Sequence, residues 1–168
     1  MVDQPRPLQR IEPSGGKARL TALVGTGAAG LLLVAVAAFE GKSNDPYLDL
    51  VKVPTVCFGE TRVEMRRYSD AECEEMLADG LGDFATGVLE RNPGLSDRPY
   101  QLAAATSLSY NIGLGNYRGS TAARRFSAGN YAGGCKAMLR WNRAGGRVVK
   151  GLTNRRAAEY RICMTGLA

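Results

Sequence analysis

The sequence predicts an α+β domain of two lobes, a small antiparallel β lobe followed by a larger helical lobe, with an apolar helix in front. Three observations point to it. Leu20 to Phe39 is an uncharged stretch. Tyr47 to Val63 is short and strand-like, its apolar and β-branched residues broken by Pro54 and Gly59-Glu60, which reads as a small hairpin or three-stranded sheet. From Ser69 onward the apolar spacing is helical, and Asn92-Pro93-Gly94 marks the stop between the two lobes.

Residues 1–19 form a polar tail with Arg6, Arg10, Lys17 and Arg19, three prolines and the pair Gly15-Gly16, and read as disordered with a positive bias. As one helix, Leu20–Phe39 is long enough to cross about 30 Å of hydrocarbon. Six alanines, Gly25, Gly27 and Gly30 make its hydrophobicity weak and suit helix contacts. Three readings stay open. A buried core helix leaves the basic flank unexplained. A cleaved signal peptide has a passable site at Ala35-Val36-Ala37. The preferred reading is an uncleaved signal anchor over 20–39, basic end in the cytoplasm.

Ser69-Asp-Ala-Glu72 is a capping box that opens a helix, and the pattern continues past Gly80 and Gly82, which weaken it, to Leu89. Residues 98–113 start with an early proline, are alanine-rich, and read as a central buried helix. Ser120-Thr121 caps a short helix through Phe126; another runs from Tyr131 to Trp141. Asn142–Gly151 is a basic, glycine-containing loop, and the last helix runs from Gly151 to near Cys163.

The 168 residues hold one domain with a real core plus an appendage, and the net charge is +6. Charge suits an anionic polymer and plain solubility equally, so it decides little. With no histidine in the sequence, Ser-His-Asp and Cys-His catalysis and His-built metal sites are excluded. Cys57, Cys73, Cys135 and Cys163 include no CxxC pair, so no metal site is expected; behind an export-like segment they read as two disulfides, with three connectivities open.

Glu40, Asp49 and Thr55 stand at a distinctive spacing at the end of the apolar segment. A carboxyl at the mouth of an apolar helix loses solvation, which favours the neutral, proton-donating form. Asp49, in a more polar segment, stays ionised. A proton donor facing an ionised carboxylate is what glycosidic hydrolysis needs, and the Thr55 hydroxyl is placed to hold a water against Asp49.

Glu-x8-Asp-x5-Thr, with Glu40-Gly41 at its start and Thr55-Val-Cys-Phe-Gly59 at its end, resembles the catalytic signature of the phage lysozymes of glycoside hydrolase family 24. Tyr110-Asn-Ile-Gly113 with Gly115-Asn-Tyr117, and Gly151-Leu-Thr-Asn-Arg-Arg156, resemble two further motifs of that family. Taken with its apolar segment, the chain resembles the signal-anchor-release endolysins of lambdoid phages. The resemblance covers roughly residues 39–163.

It implies a two-lobed phage-lysozyme-like fold with a cleft between the lobes and no cofactor. The implied reaction is hydrolysis of the β-1,4 bond between N-acetylmuramic acid and N-acetylglucosamine, for host cell lysis. Glu40 is the expected acid, with Asp49 and Thr55 acting on water. Asn111 is expected to reach the cleft beside Glu40, and Arg156 to pair with Glu40. The resemblance favours Cys57–Cys73 and Cys135–Cys163, each stapling a local substructure. The expected partners are peptidoglycan, the inner membrane through residues 20–39 and the host secretion machinery, with no nucleic acid and a monomer on release to the periplasm. Residues 40–168 are the expected muramidase domain. A disulfide switch inside the anchor is not expected, since 20–39 holds no cysteine. A tethered, non-catalytic cell-wall binding protein and a chitinase-type hydrolase of the same fold are the alternatives.

Overall fold

A computed structural model describes residues 14–167; of the tail expected over 1–19, residues 1–13 lie outside them and residues 16–19 are helical. The order is α1 (Gly16–Val24), α2 (Thr26–Glu40), β1 (Ser43–Leu48), β2 (Pro54–Cys57), α3 (Asp70–Arg91), a 3₁₀ turn (Pro93–Leu95), α4 (Pro99–Ile112), α5 (Leu114–Arg118), α6 (Thr121–Ser127), α7 (Tyr131–Met138), β3 (Arg143–Ala144), β4 (Arg147–Val148) and α8 (Lys150–Met164).

The N-terminal segment is not one straight helix. Gly25, at φ 86°, ends α1 and begins α2, and the two axes meet at a 120° bend. No single described helix is long and apolar enough to cross a membrane, although the bent pair passes that test jointly. The α1 helix also starts earlier than the uncharged stretch, taking in Lys17 and Arg19. The pair wraps the helical lobe, with Leu20, Val24, Leu32 and Val36 buried in its core. Burying such side chains out of water stabilises by about 1.5–3 kcal/mol each. Gly16 packs directly on the α3 backbone at Glu75 and Asp79.

β1 and β2 form an antiparallel pair, Tyr47 opposite Thr55 and Leu48 opposite Pro54, with an irregularity between Ser43 and Tyr47. Val56 bridges to Glu60. A small core of Val56, Cys57, Val63, Tyr68, Cys73 and Met76 lies beneath this lobe. The capping box forms, Ser69 Oγ accepting from the Glu72 amide and Glu72 from the Ser69 amide. Gly80 and Gly82 do not interrupt α3, because both its ends are packed: Cys73 and Met76 belong to the small core, Leu77, Leu81, Ala85 and Val88 to the large one.

In α4 every residue from Gln101 to Ser109 is buried. Alanine there lets neighbouring helices approach closely. Beside α4, Tyr117 and Asn92 satisfy each other in the core: Tyr117 Oη donates to Asn92 Oδ1 at 2.7 Å, and Asn92 Nδ2 donates to the Ala123 carbonyl. The expected basic loop holds a two-residue hairpin, β3 against β4. The disulfides are Cys57–Cys73 and Cys135–Cys163.

Candidate active site

Glu40 is the last residue of α2, at the junction of the two lobes. Its side chain is 26% exposed and its Oε1 accepts from Arg155 Nη1 at 2.5 Å. Arg155 comes from the second turn of α8, is almost wholly buried, and lies 5.1 Å from the Phe39 ring centroid. The expected partner, Arg156, is one residue off. Successive helical residues point about 100° apart, and Arg156 faces inward: its Nη2 donates to Asn111 Oδ1 at 3.1 Å and to Glu159 Oε1 at 2.9 Å. Asn111 therefore meets Arg156 rather than Glu40.

A cavity of about 420 Å³ opens beside Glu40. Phe58 and Glu60 line it from the end of the β lobe, Arg62 from the loop beyond, Phe84 from α3 and Tyr110 from α4. Burial by itself raises the Glu60 carboxyl, but hydrogen bonds from the Arg62 side chain and amide outweigh it and hold the group below its ordinary value. Tyr110 packs edge-on to Phe84, ring centroids 5.2 Å apart, and burial, then the charge of Glu40, push its phenol up to about 12. Tyr117, by contrast, is a core residue with no exposed surface.

Asp49 sits in the turn between β1 and β2, not in a strand. Its Oδ1 accepts the amides of Val51 and Val53, both at 2.9 Å. The Val53 carbonyl in turn accepts the Asp49 amide at 3.1 Å and the Thr55 hydroxyl at 2.9 Å. One residue, Val53, thus sets Asp49 and Thr55 in register with each other. Neither lines the cavity beside Glu40. Thr55 is buried, while Leu50 and Val51 at the tip are exposed.

Arg155, Glu159 and Ser107 escaped the sequence reading. The signal present was spacing: Glu159 stands four residues after Arg155 and three after Arg156, so all three share one side of a helix.

The model of the family described as Phage lysozyme matches residues 37–159. A SAR-endolysin of Enterobacteria phage P21 is 38% identical over 167 residues, covering 93% of this chain and 99% of that protein. The structure entitled active form of P1 phage endolysin Lyz is 21% identical, with a TM-score of 0.69 over 94% of this chain and 98% of that one. The structure entitled secreted inactive form of the same endolysin is 17% identical, with a TM-score of 0.52 over 80% of this chain and 96% of that one. Both structural likenesses are of fold.

Proposed function

The chain belongs to the phage lysozyme family and is a lysozyme-type hydrolase, and on that premise we propose that it cleaves the β-1,4 bond between N-acetylmuramic acid and N-acetylglucosamine in peptidoglycan. One observation carries the reading: a carboxyl group, Glu40, held by a buried arginine at the edge of a cavity between the lobes. In this proposal Glu40 protonates the leaving oxygen. Asp49 activates a water, with the Thr55 hydroxyl oxygen as a second acceptor for it. The family resemblance implies inversion at the anomeric carbon. Glu40→Gln is expected to lower hydrolysis of purified sacculi by about 10²–10⁴-fold, with the melting temperature little changed. Activity retained in that variant would sink the assignment.

The second half of the proposal concerns control. The expected signal anchor is docked here as α1 and α2, and Glu40 ends α2. A segment stretched across a bilayer has its apolar face in lipid, so Glu40 would lack the frame that sets it against Arg155. Lipid is as apolar as the protein core, so leaving it gains little hydrophobic free energy. The docked state therefore leans chiefly on close packing at Gly16, and the exposed ion pairs of Lys17 with Glu74 and of Arg19 with Asp79 and Asp83 add little. The better match to the active-form fold supports this conformation as the working one.

The enzyme is thus proposed to be exported by the host secretion machinery, to wait in the inner membrane with its N-terminus in the cytoplasm, and to act as a periplasmic monomer. Intact mass, membrane partition and activity before and after collapsing the membrane potential test this. Full-length mass moving to the soluble fraction with new activity is expected. A soluble species lacking residues 1–37 throughout would overturn the anchor while leaving the chemistry standing.

A further inference from the structure

Glu159 has no exposed surface, and the proposed reaction does not touch it. Its Oε1 accepts from Ser107 Oγ at 2.6 Å, Arg156 Nη2 at 2.9 Å and Arg155 Nε at 3.2 Å. Its Oε2 lies 2.8 Å from Arg156 Nε, an ion pair off-line for a hydrogen bond. Burying a carboxylate this deeply is costly even when it is paired, and apolar replacements for such groups are often tolerated. Its geometry suggests a use. Glu159 binds Nε on one edge of Arg155, while Nη1 reaches Glu40 and Nη2 points to the Ser107 carbonyl at 3.4 Å.

We propose that Glu159 is a positioning residue for hydrolysis, fixing through Arg155 both the geometry and the net charge that Glu40 faces. The proposal rests on the reading of Glu40 as proton donor. Glu40, Arg155, Glu159 and Arg156 form a chain of alternating charge that sums to zero, ending at Asn111. Burial drives the Glu159 carboxyl up and the Arg156 guanidinium down, and the charge of each opposes the shift of the other. The remaining ionisable groups at the cavity are Tyr110 on α4, Asp83 on α3 and Glu60 with Arg62 after β2, whereas the hydrogen bonds and ion pairs of Glu159 run to Ser107, Arg155 and Arg156.

The test is a pH–rate profile of the soluble full-length protein on purified sacculi, with melting curves alongside. Glu40 acts only when protonated, so its ionisation sets the basic limb. Glu159→Gln leaves one uncompensated positive charge in the chain, which favours ionised Glu40. The basic limb is expected to move to lower pH, and kcat to fall roughly 10- to 100-fold as Arg155 loses its brace, with KM little changed. Glu159→Asp restores the charge and returns the limb to its wild-type position. A structural role alone would lower the melting temperature and leave the limb in place, so a wild-type limb in Glu159→Gln overturns the proposal. Where Glu159→Gln melts below the assay temperature, Ser107→Ala serves. It keeps all four charges and is expected to lower kcat several-fold at an unmoved limb; unaltered kcat overturns the proposal. Activity in Glu40→Gln would remove the function reading itself, whereas an inactive Glu40→Gln with a wild-type limb in Glu159→Gln removes only this step.

Discussion

Gly16→Ala tests whether α1 docks on α3 in solution. A Cβ there would fall far inside contact distance of the Glu75 carbonyl oxygen and 2.7 Å from the Asp79 amide nitrogen. Both atoms belong to helix backbone and cannot swing aside, so α1 must lift. Overpacking of this kind costs about 1–3 kcal/mol. What α1 has to lose is chiefly the burial of Leu20 and Val24, about 1.5–3 kcal/mol each. Its ion pairs to Glu74, Asp79 and Asp83 are too exposed to add much. For a chain of this length the melting temperature falls by roughly 2–4 °C per kcal/mol. The control is Gly30→Ala in α2, where a Cβ meets nothing within 4 Å. There alanine gains helix propensity, up to about 1 kcal/mol. Thermal melts of the soluble protein by circular dichroism should therefore move in opposite directions for the two variants. A Gly16→Ala protein that melts at or above wild type would refute the docking of α1.

Two further outcomes follow from the packing and the charges. Tyr117→Phe removes the hydroxyl that satisfies Asn92 Oδ1 in the core, and the stranded acceptor is expected to cost about 1–3 kcal/mol, read as a lower urea midpoint at unchanged slope. Glu72 is held down to about 2, first by the Arg66 side chain and then by the Ser69 amide. A carboxyl lowered on folding contributes stability above its ordinary value of 4.5 that is lost as pH falls from there toward about 2. Glu72→Gln should flatten that part of the stability–pH curve, and an unchanged curve would show that the capping box adds no acid dependence.

Much of the fold was legible because punctuation and period agreed. The Ser69–Glu72 box, Asn92-Pro93-Gly94 and Ser120-Thr121 fall at helix boundaries in the structure. The bend at Gly25 was not legible, since hydropathy records how apolar a stretch is and nothing about its direction. Glycine was read as weakening α3 at Gly80 and Gly82, yet tertiary packing overrode propensity there, while at Gly25 a positive φ turned the chain. At the candidate site, spacing together with the family resemblance singled out Glu40, Asp49 and Thr55, but two adjacent arginines are the same letter twice. Only the facing of α8 tells Arg155, which reaches Glu40, from Arg156, which does not. The burial of Glu159 is a property of the fold, in which Ser107 on α4 donates to its carboxylate.

Both cross-links close loops beyond residue 56, at Cys57–Cys73 and Cys135–Cys163. Among the described residues, everything before that point, α1, α2 and Glu40 included, is attached to the rest by non-covalent contacts and one strand of backbone. Under a load applied at the N-terminus the molecule would peel from that end, helix by helix, and no covalent staple would resist until Cys57. The second helix to leave, α2, carries Glu40 with it. On the role proposed for Glu40, such a pull would disarm the protein before it unravels the disulfide-closed remainder.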